Sequence, residues 1–322
     1  MQKIPAKISN QIWLIKIVAI FTIFFAHMPV SAKTLSLSES YSWLVRLFSF
    51  LGMVGVPTFF IVSGYLFKPG KIIKRAKSLL IPLVIWGGTT YSLHCFNIGF
   101  ATFSIKGLVL WTLGYNCYLY FVPVLFAIIM LYNMFSNDWI WILTGIISVW
   151  LYQMHFISYS GVTLTPYMNP LNFIPYFAFG RIVRTYNLWE NFQSTSVWIV
   201  SIVVMVIFFV LKEYYVHVWY FELSSFIVNI AFAIFLISIT RCFERIPDSI
   251  VTLGKSTFVI YLCHMPIATT INKLLSNHLI GPLEPIKVLI AFVIVAGVVY
   301  SGYVILSRLH YYKFMAYIGY RK

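Results

Sequence analysis

The chain has 322 residues, of which 61% are hydrophobic, 19% aromatic and 10% charged, with a mean hydropathy of +0.87. About a quarter of a soluble domain is charged, so this composition excludes a soluble globular protein and points to an all-α integral membrane protein. The net charge of +15 does not call for a nucleic-acid partner, because Lys and Arg cluster in alternate connections, where membrane topology accounts for them.

Ten apolar segments follow in chain order, at roughly 11–31, 43–66, 78–97, 118–135, 138–155, 170–186, 196–212, 223–240, 250–271 and 286–307. The expected architecture is a bundle of about ten transmembrane helices, a multi-pass membrane protein in contact with lipids. The first segment is too long for the apolar region of a signal peptide, and no small-residue cleavage site follows it. Of the 23 Lys and Arg residues, the larger set of loop cations includes Lys68, Lys71, Lys74, Arg75, Lys77, Arg181, Arg184, Arg308 and Arg321. Lys33, Lys106, Lys212 and Lys273 fall on the other side, and Lys16, Arg46, Lys255 and Lys287 lie inside segments or at their ends. The bias towards one side places both termini in the cytoplasm. The connections at about 98–117 and 156–169, with Gly107, Gly114, Gly161, Pro166 and Pro170, have room for short interfacial helices. No connection is long enough for a second domain, so residues 1–322 are expected to form a single transmembrane domain without a soluble accessory domain.

All eight carboxylates, Glu39, Asp138, Glu190, Glu213, Glu222, Glu244, Asp248 and Glu284, read as loop or segment-end residues, which argues against an intramembrane acidic proton relay. Six of the seven histidines, among them His27, His94, His155, His217, His264 and His278, fall in the outer half. The four cysteines, Cys95, Cys117, Cys242 and Cys263, lack metal-ligand spacing, and neither a metal nor a resident cofactor is expected. Cys95 and Cys117 both fall near the outer face, which leaves a disulfide open.

Lys16 and His27 carry the chemistry of the first segment. Eleven residues at about 100° each return to nearly the same helix face, with a rise of roughly 16 Å between them. Ionisable groups at membrane depth are costly and face a bundle interior or a wet cavity. Apolar surroundings favour the neutral imidazole, which serves as a general base or an acyl-accepting nucleophile. The plain alternatives are a His27 that hydrogen-bonds a neighbouring helix and a Lys16 that snorkels to the interface. In the second segment, Gly52 and Gly55 allow close helix approach, Pro57 kinks the helix, and Ser63 and Gly64 leave backbone groups for a ligand. In the ninth, Tyr261 and His264 share a face, and Pro266 lets the helix bend as it leaves the membrane.

Lys16 and His27 with ten residues between, GVPTFFIVSGYLF at 55–67 and STFVIYLCHMPI at 256–267 together resemble the integral-membrane acyltransferase 3 family. That family pairs a basic residue with a histidine at this spacing, ends its second helix on Phe-Phe-x-x-Ser-Gly-Tyr, and carries Ile-Tyr-Leu-x-His late in the chain. The resemblance runs in order along nearly the whole chain. Lys16 stands where the family usually has Arg, and Tyr118-Leu119-Tyr120-Phe121 stands where it often shows His-Leu-Trp-Phe. Some relatives also carry a C-terminal esterase-like domain.

The resemblance implies an acyl-CoA co-substrate, acetyl-CoA above all, and a hydroxyl acceptor on a surface polysaccharide or its lipid-linked precursor. It implies His27 as the catalytic residue. Lys16, Ser63, Lys71, Lys74 and Arg75 are then donor-binding, and Tyr261 and His264 orient His27 or contact the acceptor. The competing class is a flippase or transporter of a lipid-linked glycan, which predicts no CoA dependence and more than one intramembrane cation.

Overall fold

The structure is a computed structural model that describes residues 4–37, 41–99, 102–115, 117–154, 165–214, 223–243 and 245–321. Glu39, His155, Gly161, His217, Glu222 and Glu244, and the side chains of Lys212 and Glu213, lie outside the described residues. Among the described residues there is no strand. Fourteen helices follow one another: α1 Ala6–His27, α2 Ala32–Leu37, α3 Ser42–Leu66, α4 Ile72–Ile98, α5 Ile105–Thr112, α6 Phe121–Met134, α7 Asp138–Gln153, α8 Ile174–Thr185, α9 Leu188–Phe192, α10 Thr195–Tyr214, α11 Leu223–Ile239, α12 Asp248–Leu275, α13 Glu284–Arg308 and α14 Tyr312–Ile318.

Each of the ten apolar segments holds a helix. Among the described residues, six stretches are long and apolar enough to cross a membrane: Ala6–His27, Ser42–Leu66, Ile72–Ile98, Ser224–Cys242, Asp248–Leu275 and Gly281–Arg308. Tyr118–Met134 and Thr195–Leu211 are shorter apolar helices. α8 has 12 residues, about 18 Å of rise, against a hydrocarbon core of about 30 Å. Ten of its residues are buried, from Ile174 to Arg184, so its apolar character comes from burial on all sides within the protein. The 98–117 connection contains α5. Its N-cap Ser104 accepts a hydrogen bond from the Gly107 amide at 3.0 Å, which satisfies one amide of the first turn. The second connection contains single 3-10 turns at Pro166–Met168 and Pro170–Asn172.

The chain divides into two compact units. The first comprises Met1–Ala19, Met53–Gly70 and Ala127–Gly254. Here α3 and α8 touch backbone to backbone. A Cβ on Gly64 would stand 1.9 Å from the Phe177 carbonyl oxygen, and one on Gly180 would stand 1.9 Å from that of Ile61. Gly64 therefore serves helix contact. Arg184 donates to the Tyr65 carbonyl at 2.9 Å, and Arg181 donates to Asp138 at 2.7 Å. Fully buried Gln11 accepts from Trp189 at 2.9 Å and from Gln193 at 2.8 Å, tying the start of α1 to α9 and its C-cap.

The second unit comprises Ile20–Gly52, Lys71–Phe126 and Lys255–Lys322. Gly52 is in near contact with Ala26, 2.8 Å from a notional Cβ, as expected for close approach of the first and second long helices. Glu284 overturns the expectation that no span holds a buried carboxylate. It is fully buried at the start of α13 and paired with fully buried Lys287. Its Oε1 accepts from the Ser31 amide at 2.9 Å, the Ser31 hydroxyl at 2.6 Å and the Thr34 hydroxyl at 2.5 Å. These donors replace water and make the burial tolerable. All four cysteines are free.

Substituting Gly64→Ala or Gly180→Ala forces the α3 and α8 backbones apart. Overpacking of this kind costs about 1–3 kcal/mol, and the rigid carbonyl on the other side puts both variants at the upper end. Thermal unfolding in detergent is expected to show a lowered Tm for each, while Gly297→Ala, with open space around its notional Cβ, leaves it unchanged.

Candidate functional site

The second unit brings His27 and His264 together. His27 is the last residue of α1 and is half-buried, whereas His264 on α12 is fully buried. Their ring centroids are 5.2 Å apart. Tyr118 completes the cluster, 4.9 Å from His264 and 6.2 Å from His27. Phe24, one turn before His27 on α1, packs 5.2 Å from His264 and 5.6 Å from Phe292, giving the pair an apolar wall.

Pro266 explains why Tyr118 is there. A proline has no amide hydrogen, so the carbonyl four residues earlier loses its helical donor. Here that carbonyl belongs to Leu262, and the Tyr118 hydroxyl donates to it at 2.7 Å. The Tyr261 hydroxyl in turn donates to the Tyr118 carbonyl, so the two tyrosines clasp one another. α12 runs on through Pro266 to Leu275, so the proline marks a donor change inside the helix.

The tautomer of His264 follows from its partner. Nδ1 lies 2.7 Å from the Tyr261 carbonyl oxygen, which can only accept, so Nδ1 carries the proton. Nε2 keeps its lone pair and, among the described residues, has no hydrogen-bond partner. His27 likewise makes ring contacts and no hydrogen bond among the described residues. The pair thus offers one committed and one uncommitted imidazole in an aromatic enclosure. Burial pushes the thiol of Cys117 up to about 12, which disfavours the reactive thiolate there.

The donor-binding candidates are divided. Lys16 and Ser63 belong to the first unit. Lys16 is half-buried, with its ammonium 4.4 Å from the Trp13 ring centroid, and Ser63 is half-buried. Lys71, Lys74 and Arg75 belong to the second unit, where Lys71 precedes α4 with φ 57°. Lys74 and Arg75 stand on the first turn of α4, so the expected basic loop is largely a helix start. Lys71 and Lys74 are exposed, and Arg75 is part-buried. Cations there add to the positive end of the helix dipole, a combination that an anion relieves.

Sequence reasoning gives Tyr118 no role, noting only that it stands where the family often has a histidine. Its position in that motif and the donor vacancy created by Pro266 were the available signals. Phe24 left no signal beyond its place one turn before His27.

These features define a multi-pass helical membrane protein with a histidine pair enclosed among aromatic rings. A family model described as an acyltransferase domain matches residues 10–308, and the chain belongs to that acyltransferase 3 family. No curated protein and no solved structure matched the chain. The match spans Lys16, His27, Ser63, Lys71, Lys74, Arg75, Tyr261 and His264.

Tyr118→Phe strands the Leu262 carbonyl in an apolar interior, at a cost of about 1–3 kcal/mol. Adding Pro266→Ala supplies an amide donor to the same carbonyl and is expected to recover most of the lost Tm. Additive losses in the double variant would refute the donor-replacement account.

Proposed function

We propose that this membrane acyltransferase moves an acyl group, acetyl above all, from acyl-CoA to a hydroxyl of a surface polysaccharide or its lipid-linked precursor. It would do so in a bacterial inner membrane, as a bundle of about ten membrane-embedded helices with the short α8 buried among them and both termini cytoplasmic. The observation that supports this most is the uncommitted His27 imidazole beside His264 in an aromatic enclosure.

In this reading the acceptor hydroxyl gives its proton to His27 as its oxygen attacks the thioester carbonyl. The carbon–sulfur bond then breaks, and the departing CoA sulfur takes the proton back from His27. The same imidazole is equally suited to receive the acyl group first, as a nucleophile, and to pass it on. His264, held as the Nδ1–H tautomer, presents a lone pair that steadies a transient His27 imidazolium, and Tyr261 holds Tyr118 in place. Lys16 and Ser63 serve the donor. Lys71, Lys74 and Arg75 attract its phosphates at the start of α4. Membrane lipids surround the helices, and no nucleic acid takes part.

Acyl-CoA turnover by the purified protein tests the reading, with CoA release followed for acetyl-CoA and succinyl-CoA in the presence of a glycan acceptor. His27→Ala is expected to lower kcat at least about a hundredfold, and Lys16→Ala to raise the donor KM about tenfold with a smaller effect on kcat. A folded wild-type protein that binds neither donor would favour the glycan transporter. A folded His27→Ala variant with full turnover would remove His27 from the chemistry.

A further inference from the structure

The segment after α13 does not leave the protein. Leu309–Tyr311 turns the chain, with His310 at φ 61° and the Tyr311 amide bonded to the Leu306 carbonyl at 3.0 Å. α14 then runs back alongside the helices it has just left. Three anchors fix its far end within the second unit. The Trp86 indole donates to the Ile318 carbonyl at 2.9 Å, and the Tyr320 hydroxyl donates to the Val299 carbonyl at 2.7 Å. Gly319, at φ +107°, lies so close to α12 that a Cβ would be 3.1 Å from Phe258.

These anchors set a depth. Val299 lies nine residues inside the end of α13, about 14 Å of helix rise, and Trp86 lies fourteen residues inside α4, about 21 Å. Both helices are candidate membrane spans. The returning segment therefore carries buried Tyr320 and part-buried Arg321 back against α4, α12 and α13, so Arg321 does not stand with the loop cations, contrary to the expectation from sequence. The Arg321 guanidinium stands 4.7 Å from the Phe258 ring centroid, and among the described residues it has no carboxylate partner. Phe258 is six residues before His264 on the same helix, about 9 Å of rise.

A cation at this depth is expensive and marks a functional site by default. An aromatic face attracts it but leaves its charge uncancelled. The planar fork suits the oxygens of a phosphate, which it grips in two places. We propose that Arg321 is an intramembrane phosphate ligand, delivered by the re-entrant 309–321 segment to the helix that carries His264. When the phosphate is the donor's, this rests on the acyl-CoA reading above. The family match ends at residue 308, so nothing in it assigns this role.

The test uses the full chain in nanodiscs of phosphatidylcholine. Calorimetry reads the binding of CoA and of inorganic pyrophosphate to the wild type, R321Q and R321K, and retention of added phosphatidylglycerol is measured in parallel. R321Q is expected to weaken CoA and pyrophosphate binding about tenfold or more, with R321K falling between, while Tm stays within a few degrees. If only phosphatidylglycerol retention falls in R321Q, the site stands and its phosphate is a lipid headgroup's. Failure of the wild type to bind CoA would sink the acyl-CoA reading alone, since pyrophosphate and lipid still report on Arg321. R321Q that matches wild type on CoA, pyrophosphate and phosphatidylglycerol overturns the proposal. Should R321Q fail to stay monodisperse, R321K carries the comparison, and unchanged binding by it at raised ionic strength counts as refutation too.

Discussion

The geometry around His27 depends on a carboxylate that has been made safe to bury. Glu284 and Lys287 form an ion pair one helical turn apart, both without solvent exposure. Such a pair is tolerable only when its remaining hydrogen-bonding capacity is filled. Ser31 and Thr34 fill it from the carboxylate side, and Lys287 donates to the Pro29 carbonyl at 2.9 Å. Pro29 and Ser31 come two and four residues after His27. The cluster therefore fixes the chain as it leaves α1, and with it the last turn that carries the imidazole. The Gly281 amide, donating to Thr34 at 2.9 Å, closes the same cluster from the other side. Losing either charge would strand the other in an apolar interior, at a cost of about 3–5 kcal/mol.

Much of this was legible as pattern and little as contact. The ten apolar segments each hold a helix, because burial and bilayer impose the same run of apolar residues. That shared cause is also why length had to be seen: α8 reads like a span and is a short helix buried in protein. The spacing of Lys16 and His27 correctly put both on α1, and Tyr261 and His264 were correctly placed on one helix. The partnership of His27 with His264, 237 positions apart in sequence, was legible only as family resemblance. Glu284 was misread because Gly281, Pro282 and Pro285 around it look like a loop. The donors that allow its burial come from Ser31 and Thr34, and no local rule connects them.

Pro266 shows how a local signal can be legible in chemistry while its partner is not. A proline in a helix withdraws one donor, and the usual results are a bend or an end. Here a tyrosine from a remote segment supplies the missing hydrogen, and the helix continues for another nine residues to Leu275. The substitution of donors has a directional effect. It pulls Tyr118 against α12 two residues before His264, so that the tyrosine ring lines the histidine pair. The vacancy was visible in the sequence, but the residue that fills it was not.

The interior cations then sort by what holds them, with buried Arg184 donating to the Tyr65 carbonyl. Arg181 is paired with Asp138, and Lys287 with Glu284. In both pairs the positive charge is largely cancelled, so little field remains to draw a ligand, and the pairs serve to join elements. Arg321 rests on the face of Phe258 instead. A ring quadrupole orients a guanidinium and lowers the cost of its burial, yet it carries no net charge. Among the described residues no carboxylate cancels its charge, so the charge is left to meet an anion. A chain that stabilised all its interior cations with carboxylates would be sturdier and would have nothing left with which to hold a phosphate.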